Sequence, residues 1–189
     1  MGTRCFIAIE CNNAEIITRF REVHSMLSCT SGNMKHVEPE NTHLTLKFLG
    51  EIDQYQVDQA SEIVREIMFQ PFNFTVEGVG VFPNMRRPAT IWAGITEGVA
   101  ELAGIFNEVD KKLSKLGFKK ERRGFHPHLT ISRVRSGKNR DQIVEKLIQL
   151  GDYMFGIIRV ERISLKKSVL TPSGPIYTTI IESREPLDI

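Results

Sequence analysis

Two four-residue stretches, HLTL at 43–46 and HLTI at 128–131, share one frame in a chain that holds five histidines in all. One lies in the first half of the chain and the other in the second. Successive side chains of a strand point to opposite faces. His43, Thr45 and Lys47 are therefore expected on one face of a strand, with Leu44, Leu46 and Phe48 on the other. The same rule puts His128, Thr130 and Ser132 on one face of a second strand and Leu129 and Ile131 on the other. A strand that is aliphatic on one side and polar on the other covers a core with its aliphatic side. Two such strands, one in each half of the chain and each followed by a helical pattern, predict an α+β fold. It has two pseudo-symmetric lobes, each an antiparallel sheet backed by helices, with a central cleft between them. By parity alone, Phe48 belongs to the core.

The remaining patterns fit that frame. RCFIAIE at 4–10 reads as an opening strand. Asn12 or Asn13 can cap a helix whose apolar positions Ile16, Phe20, Val23 and Leu27 recur at helical spacing before Gly32. Asp53 caps a second helix with Val57, Ala60, Val64, Ile67 and Met68 on one face. Strands at 73–82 and 90–95 flank the turn PNMRRP. A third helix over about 98–116 carries Leu102, Phe106, Val109, Leu113 and Leu116, and Gly117 stops it. A short helix with Ile143, Val144, Leu147 and Leu150 ends at Gly151, and two strands near 157–169 and 176–182 close the chain around TPSGP. No linker or low-complexity tract divides the 189 residues, which read as one unit over 1–189. No run approaches the roughly 18–20 apolar residues of a membrane span, and the first residues lack the features of a secretory signal, so a cytoplasmic protein is expected. Cys5, Cys11 and Cys29 are odd in number and lack CxxC spacing, which predicts reduced thiols and no cysteine zinc site.

Charge is unevenly spread. Residues 111–140 hold eleven Lys or Arg against Glu121 alone, a window of +10, so the remainder of a chain of net charge +2 is −8. Such a segment suits a polyanion such as RNA, or it is a solvated helix end and loop. The second histidine stretch lies inside it.

Two imidazoles and two hydroxyls converging in a cleft define a chemistry. Cleaving a phosphodiester without a metal needs one group to take a proton from the attacking water and another to give one to the leaving oxygen, and imidazole titrates in the right range. The hydroxyls of Thr45 and Thr130 can bind the non-bridging oxygens and hold phosphorus in line. Zinc is the competing reading, but two histidines on separate strands give two ligands, and no HExxH or Cys/His cluster completes a set. His24 falls beside an apolar helical stripe and is read as structural. Of His36 and His126, the latter precedes Pro127 and reads as a strand-entry residue.

The segments RCFIAIE, HLTLKFLGE (43–51), FPNMRRPATIWAGI (82–95), GFHPHLTISRV (124–134) and LKKSVLTPSGPIY (165–177) together resemble the two-histidine phosphoesterase superfamily. Within it they resemble the RNA 2',3'-cyclic phosphodiesterases once called 2'-5' RNA ligases, the LigT-like family. The resemblance runs nearly end to end. It implies metal-independent, cofactor-free hydrolysis of a 2',3'-cyclic phosphate at an RNA end to a 2'-phosphate, with tRNA halves among the candidate partners and a monomer as the expected state. It assigns His43 as proton donor, His128 as proton acceptor, and Thr45, Thr130 and Arg133 as phosphate ligands. Strict alternation sets Arg133 opposite His128, so the strand must end or bulge near Ser132 for Arg133 to act. The family often carries a basic residue where this chain has Ala89. Two other readings follow from the same site: 2'-5' joining of RNA halves by the reverse reaction, and an RNA-end binding module without turnover. For Phe48 and Trp92 a base-stacking role competes with core packing.

Overall fold

The computed structural model describes residues 2–121, 124–172 and 174–184. The strands are β1 (Thr3–Glu10), β2 (Met34–His36), β3 (His43–Ile52), β4 (Phe72–Asn84), β5 (Arg87–Glu97), β6 (Leu129–Val134), β7 (Met154–Val160), β8 (Ser164–Leu170) and β9 (Pro175–Glu182). The helices are α1 (Ala14–Ser28), α2 (Gln54–Glu66), α3 (Val99–Lys115) and α4 (Arg140–Gln149). All strand pairs are antiparallel, in the order β7-β4-β5-β6-β3-β1-β8-β9, with β2 on β6. One register pair, Leu44 with Leu129, joins β3 to β6 and thereby the two halves of the sheet. The predicted two-lobed α+β architecture is thus present, and its seam runs between the two histidine strands.

Local chemistry explains the elements. The side chain of Asn13 accepts the N–H of Ile16 at 2.9 Å to start α1, whose Ile16, Phe20, Val23 and Leu27 are all buried. Asp53 and Gln56 form a reciprocal capping box at the start of α2. Helix α1 packs on β6 and β7, whereas α3, which holds the corresponding place in the second half of the chain, packs on β3. Each of these helices therefore follows a strand of one half and covers the other, so the chain weaves between halves.

Three expectations need correction. The segment expected as one strand over 157–169 is two, β7 and β8, separated by residues 161–163 where the chain passes from the edge strand β7 to the other half of the sheet, between β1 and β9. Met68 lies past the end of α2 and is exposed, so it does not extend that helix's apolar face. The third concerns parity in the histidine strands. Opposite β1, the register of β3 jumps from Lys47 to Thr45, leaving Leu46 as an extra residue. Opposite β5, the register of β6 jumps from Ser132 to Thr130, leaving Ile131 as an extra residue. Each is a β-bulge, which turns the following side chains over. Leu46 and Lys47 are consequently both buried, as are Ile131 and Ser132. Phe48 and Arg133 then emerge on the exposed side. Phe48, assigned to the core by simple alternation, is 68% exposed, and Lys47 and Ser132 leave the polar rows in which alternation placed them.

Candidate active site

The cleft at the seam has a volume of about 770 Å³ and is lined by His43, Thr45, Thr130 and Arg133, with Phe6, Phe48 and Tyr177 among its walls. Arg133 reaches this space because the bulge at Ile131 supplies the condition that strict alternation lacked. His128 stands immediately before β6, just outside the lining, and its charge bears on His43.

The two motif histidines are held alike. Nδ1 of His43 lies 2.7 Å from the carbonyl oxygen of Asn41, and Nδ1 of His128 lies 2.7 Å from the carbonyl oxygen of His126. A carbonyl only accepts, so each Nδ1 carries the hydrogen and each neutral ring keeps its lone pair on Nε2. Backbone contacts thus fix the tautomer at both positions and leave Nε2 as the nitrogen able to take up a proton. Asn41 and His126 hold the same place in the two halves, each two positions before its histidine.

Aromatic rings enclose both imidazoles. Phe6 and Tyr177 stand 5.0 and 5.1 Å from the ring of His43. Phe82 and Trp92 stand 5.0 and 6.1 Å from that of His128, and His126 stands 5.1 Å from Trp92. Burial among these rings is the main reason that both histidines titrate below the ordinary imidazole range, outweighing the carbonyl hydrogen bonds that favour the charged form. The charges of Lys166 and His128 push His43 the same way, and those of His126 and Arg133 do so for His128. Burial raises the Tyr177 phenol, although Arg133 and Arg4 oppose the shift. His126, read from sequence as a strand-entry residue, supplies the carbonyl and part of the cage. The cage residues Phe6, Phe82 and Tyr177 were not singled out by sequence; their signal was their place within the quoted family segments.

Beneath the β6 bulge lies a second pair of histidines. His24 on α1 donates from Nε2 to the Ile131 carbonyl at 3.2 Å, which also accepts the N–H of Val37. Nδ1 of His36 lies 2.6 Å from Ser132 Oγ, and its Nε2 lies 3.0 Å from Ser28 Oγ. The two rings stack at 4.4 Å. Both bulge residues are thereby gripped from below, which holds Arg133 toward the cleft. Burial, reinforced by His36, lowers His24 to about 4. Under β3, Lys47 donates to Asp110 of α3 and to the Lys119 carbonyl at 2.8 Å, fixing the other bulge. Cys5 and Cys11 are buried free thiols and Cys29 is an exposed one. Arg122 and Arg123 of the basic window lie outside the described residues.

Comparison with known proteins places the fold in a family. The model of the "LigT like Phosphoesterase" family matches twice, over residues 9–92 and 94–177. The starts of the two matches, at 9 and 94, are spaced as His43 and His128 are. An RNA 2',3'-cyclic phosphodiesterase of Methanocaldococcus jannaschii is 39% identical over 181 residues, covering 95% of this chain and 99% of that one. One of Aeropyrum pernix is 36% identical over 167 residues, covering 88% and 95%. E. coli LigT complexed with 3'-AMP superposes with a TM-score of 0.80 at 22% identity over the full length of both chains, a likeness of fold. With the family model matched across both halves and the relatives aligned nearly end to end, the chain belongs to the LigT-like phosphoesterase family.

Proposed function

We propose that this chain is an RNA 2',3'-cyclic phosphodiesterase that opens the cyclic phosphate at an RNA end to leave a 2'-phosphate and a free 3'-hydroxyl. The observation that carries the reading is the matched pair of histidines, each with Nδ1 tied to the carbonyl two positions upstream and Nε2 reserved for proton exchange. His128 Nε2 takes a proton from water as its oxygen attacks phosphorus. The P–O3' bond breaks, and His43 Nε2 gives its proton to the departing 3'-oxygen. Thr45 and Thr130 hydrogen-bond the non-bridging oxygens, and Arg133 neutralises the charge they gain. Phe48, exposed on the cleft wall, offers its ring to the terminal base. No step calls for a metal or cofactor.

All five groups come from one chain, so a monomer over 1–189 suffices as the working unit. RNA fragments with cyclic phosphate ends, tRNA halves among them, are its substrate class. Three free cysteines suit a reducing cytoplasm, and no described helix is long and apolar enough to cross a membrane.

The test is incubation with an RNA ending in a 2',3'-cyclic phosphate, in EDTA, for wild type, His43→Ala and His128→Ala. Wild type should yield the 2'-phosphate, and each variant should lose about 10²- to 10⁴-fold in rate. Binding of the RNA by all three proteins with no turnover by any would replace the enzyme with a binding module.

A further inference from the structure

Beyond the cleft, β6 continues into a second concavity of about 840 Å³ between the β4–β5 turn and the start of α4. Its cationic lining is Arg86, Arg87, Arg135 and Arg140, with Asp141 as the one carboxylate, a local balance of 4 − 1 = +3. Arg140 is paired with Asp141 at 2.6 Å. Among the described residues, Arg86, Arg87 and Arg135 form no ion pair, and all three are exposed. Unpaired guanidinium groups that converge on one groove repel each other, and an anion relieves that cost.

Position specifies which anion. Arg133 lines the catalytic cleft and Arg135 lines this groove. They sit two positions apart along one chain direction, about 6.6 Å in extended backbone. Across the sheet, Arg133 pairs with Thr90 of β5, and the chain preceding Thr90 is the Arg86–Ala89 wall of the groove. The two spaces are thus consecutive along the same pair of strands. The groove carries four arginines and no aromatic ring, and the large aromatic surfaces belong to the cleft. A ligand whose reacting end lies in the cleft beside Arg133 and whose body is a chain of phosphates meets Arg135 along the same stretch of chain, and with it the other arginines of the groove.

We infer that the groove lined by Arg86, Arg87 and Arg135 binds the phosphodiester backbone of single-stranded RNA upstream of the reacting end. This rests on the proposed reaction for the direction in which the strand lies. The groove makes the protein a reader of RNA ends on longer chains, with a preference for them over cyclic mononucleotides that the cleft alone does not provide. Backbone contacts of this kind carry affinity and no base sequence.

The experiment compares wild type with the triple variant Arg86→Gln/Arg87→Gln/Arg135→Gln, after circular dichroism and melting establish that the variant is folded. In the binding arm, a fluorescein-labelled 12-nucleotide RNA with a 3'-phosphate is titrated by anisotropy between 50 and 200 mM salt. Three phosphate contacts at a slope of about 0.7 each should make wild type lose about 20-fold more affinity than the variant across that range. In the kinetic arm, the variant should hydrolyse 2',3'-cyclic AMP at the wild-type rate but show at least tenfold lower kcat/KM on the 12-nucleotide cyclic-phosphate RNA, through KM. Equal salt slopes and equal discrimination between the two substrates would overturn the groove. If wild type hydrolyses neither substrate, the proposed reaction falls, and the binding arm still decides the groove by itself.

Discussion

The buried ion pair of Lys47 with Asp110 ties β3 to α3 beneath the cleft. The two side chains are 6% and 7% exposed. Lys47 also donates to the Lys119 carbonyl, and Asp110 also accepts the Glu121 N–H at 3.2 Å. Burial acts to raise the Asp110 carboxyl, but the Lys47 hydrogen bond and the Glu121 N–H together hold it below the ordinary value. Asp110→Ala strands a buried ammonium, which costs about 4 kcal/mol. At about 2.1 cal/mol/K per residue, a chain of 189 residues unfolds with an entropy near 0.4 kcal/mol/K, so Tm should fall by about 10 °C. Lys47→Met/Asp110→Leu removes both charges and gives up the hydrogen bonds to the Lys119 carbonyl and from the Glu121 N–H, at about 1 kcal/mol each. That double variant should recover about half the loss. The assay is thermal unfolding at pH 7 followed by circular dichroism, with both variants and wild type at equal concentration. A single variant within 2 °C of wild type, or a double variant no more stable than the single one, would show that no buried charge is stranded at this contact. The pair's own pH dependence has a definite sign: a depressed carboxyl contributes fully above its unfolded value and loses that contribution as pH falls through the lower folded one.

Three further outcomes are expected. The proposed reaction needs His128 neutral to accept a proton and His43 charged to give one, and both titrate below the usual imidazole range, so the kcat/KM profile should be a bell with both limbs below pH 6.5; limbs above 7 would contradict the effect of burial. His24 titrates near 4 in the fold and near 6.5 when unfolded, so its stabilising contribution is full above 6.5 and is lost as pH falls to 4, by about 2 kcal/mol once its partial contact with solvent is discounted. In denaturant titrations across that interval, His24→Gln should lose less stability than wild type, and identical slopes would remove His24 from the account. A methyl at Gly80 would enter the ring carbons of Trp92, so Gly80→Ala should cost about 1–3 kcal/mol and shift the emission of the chain's sole tryptophan; an unchanged spectrum would show that the indole does not rest on Gly80.

How much of this was legible in the sequence depends on the residue. The helix caps at Asn13 and Asp53, the apolar stripe of α1 and the convergence of the two histidine strands all followed from short-range patterns, because capping and amphipathicity act within a few residues. Phe48, Lys47 and Ser132 were misplaced, because a bulge is set by the partner strand and leaves no mark in the period-two pattern. Arg133 shows the reverse: its family position demanded an irregular strand, and the irregularity is at Ile131. The grip of His24 and His36 on that bulge depends on α1 packing on β6 and β2 pairing with it, long-range contacts that no local signal reports.

The paired bulges have one more consequence. When the two halves are aligned so that His43 falls on His128, Thr45 falls on Thr130, but Phe48 falls on Arg133. A perfectly two-fold site would take a ligand in either of two equivalent orientations, with the parts played by the two histidines exchanged between them. Here one side of the seam presents a flat apolar ring and the other a cation, at equivalent positions. An RNA terminus is equally lopsided, with a base on one side of its ribose and a charged phosphate on the other. The family model matches both halves, each with its own imidazole, and the contrast of Phe48 with Arg133 gives the seam a polarity that tells the two apart.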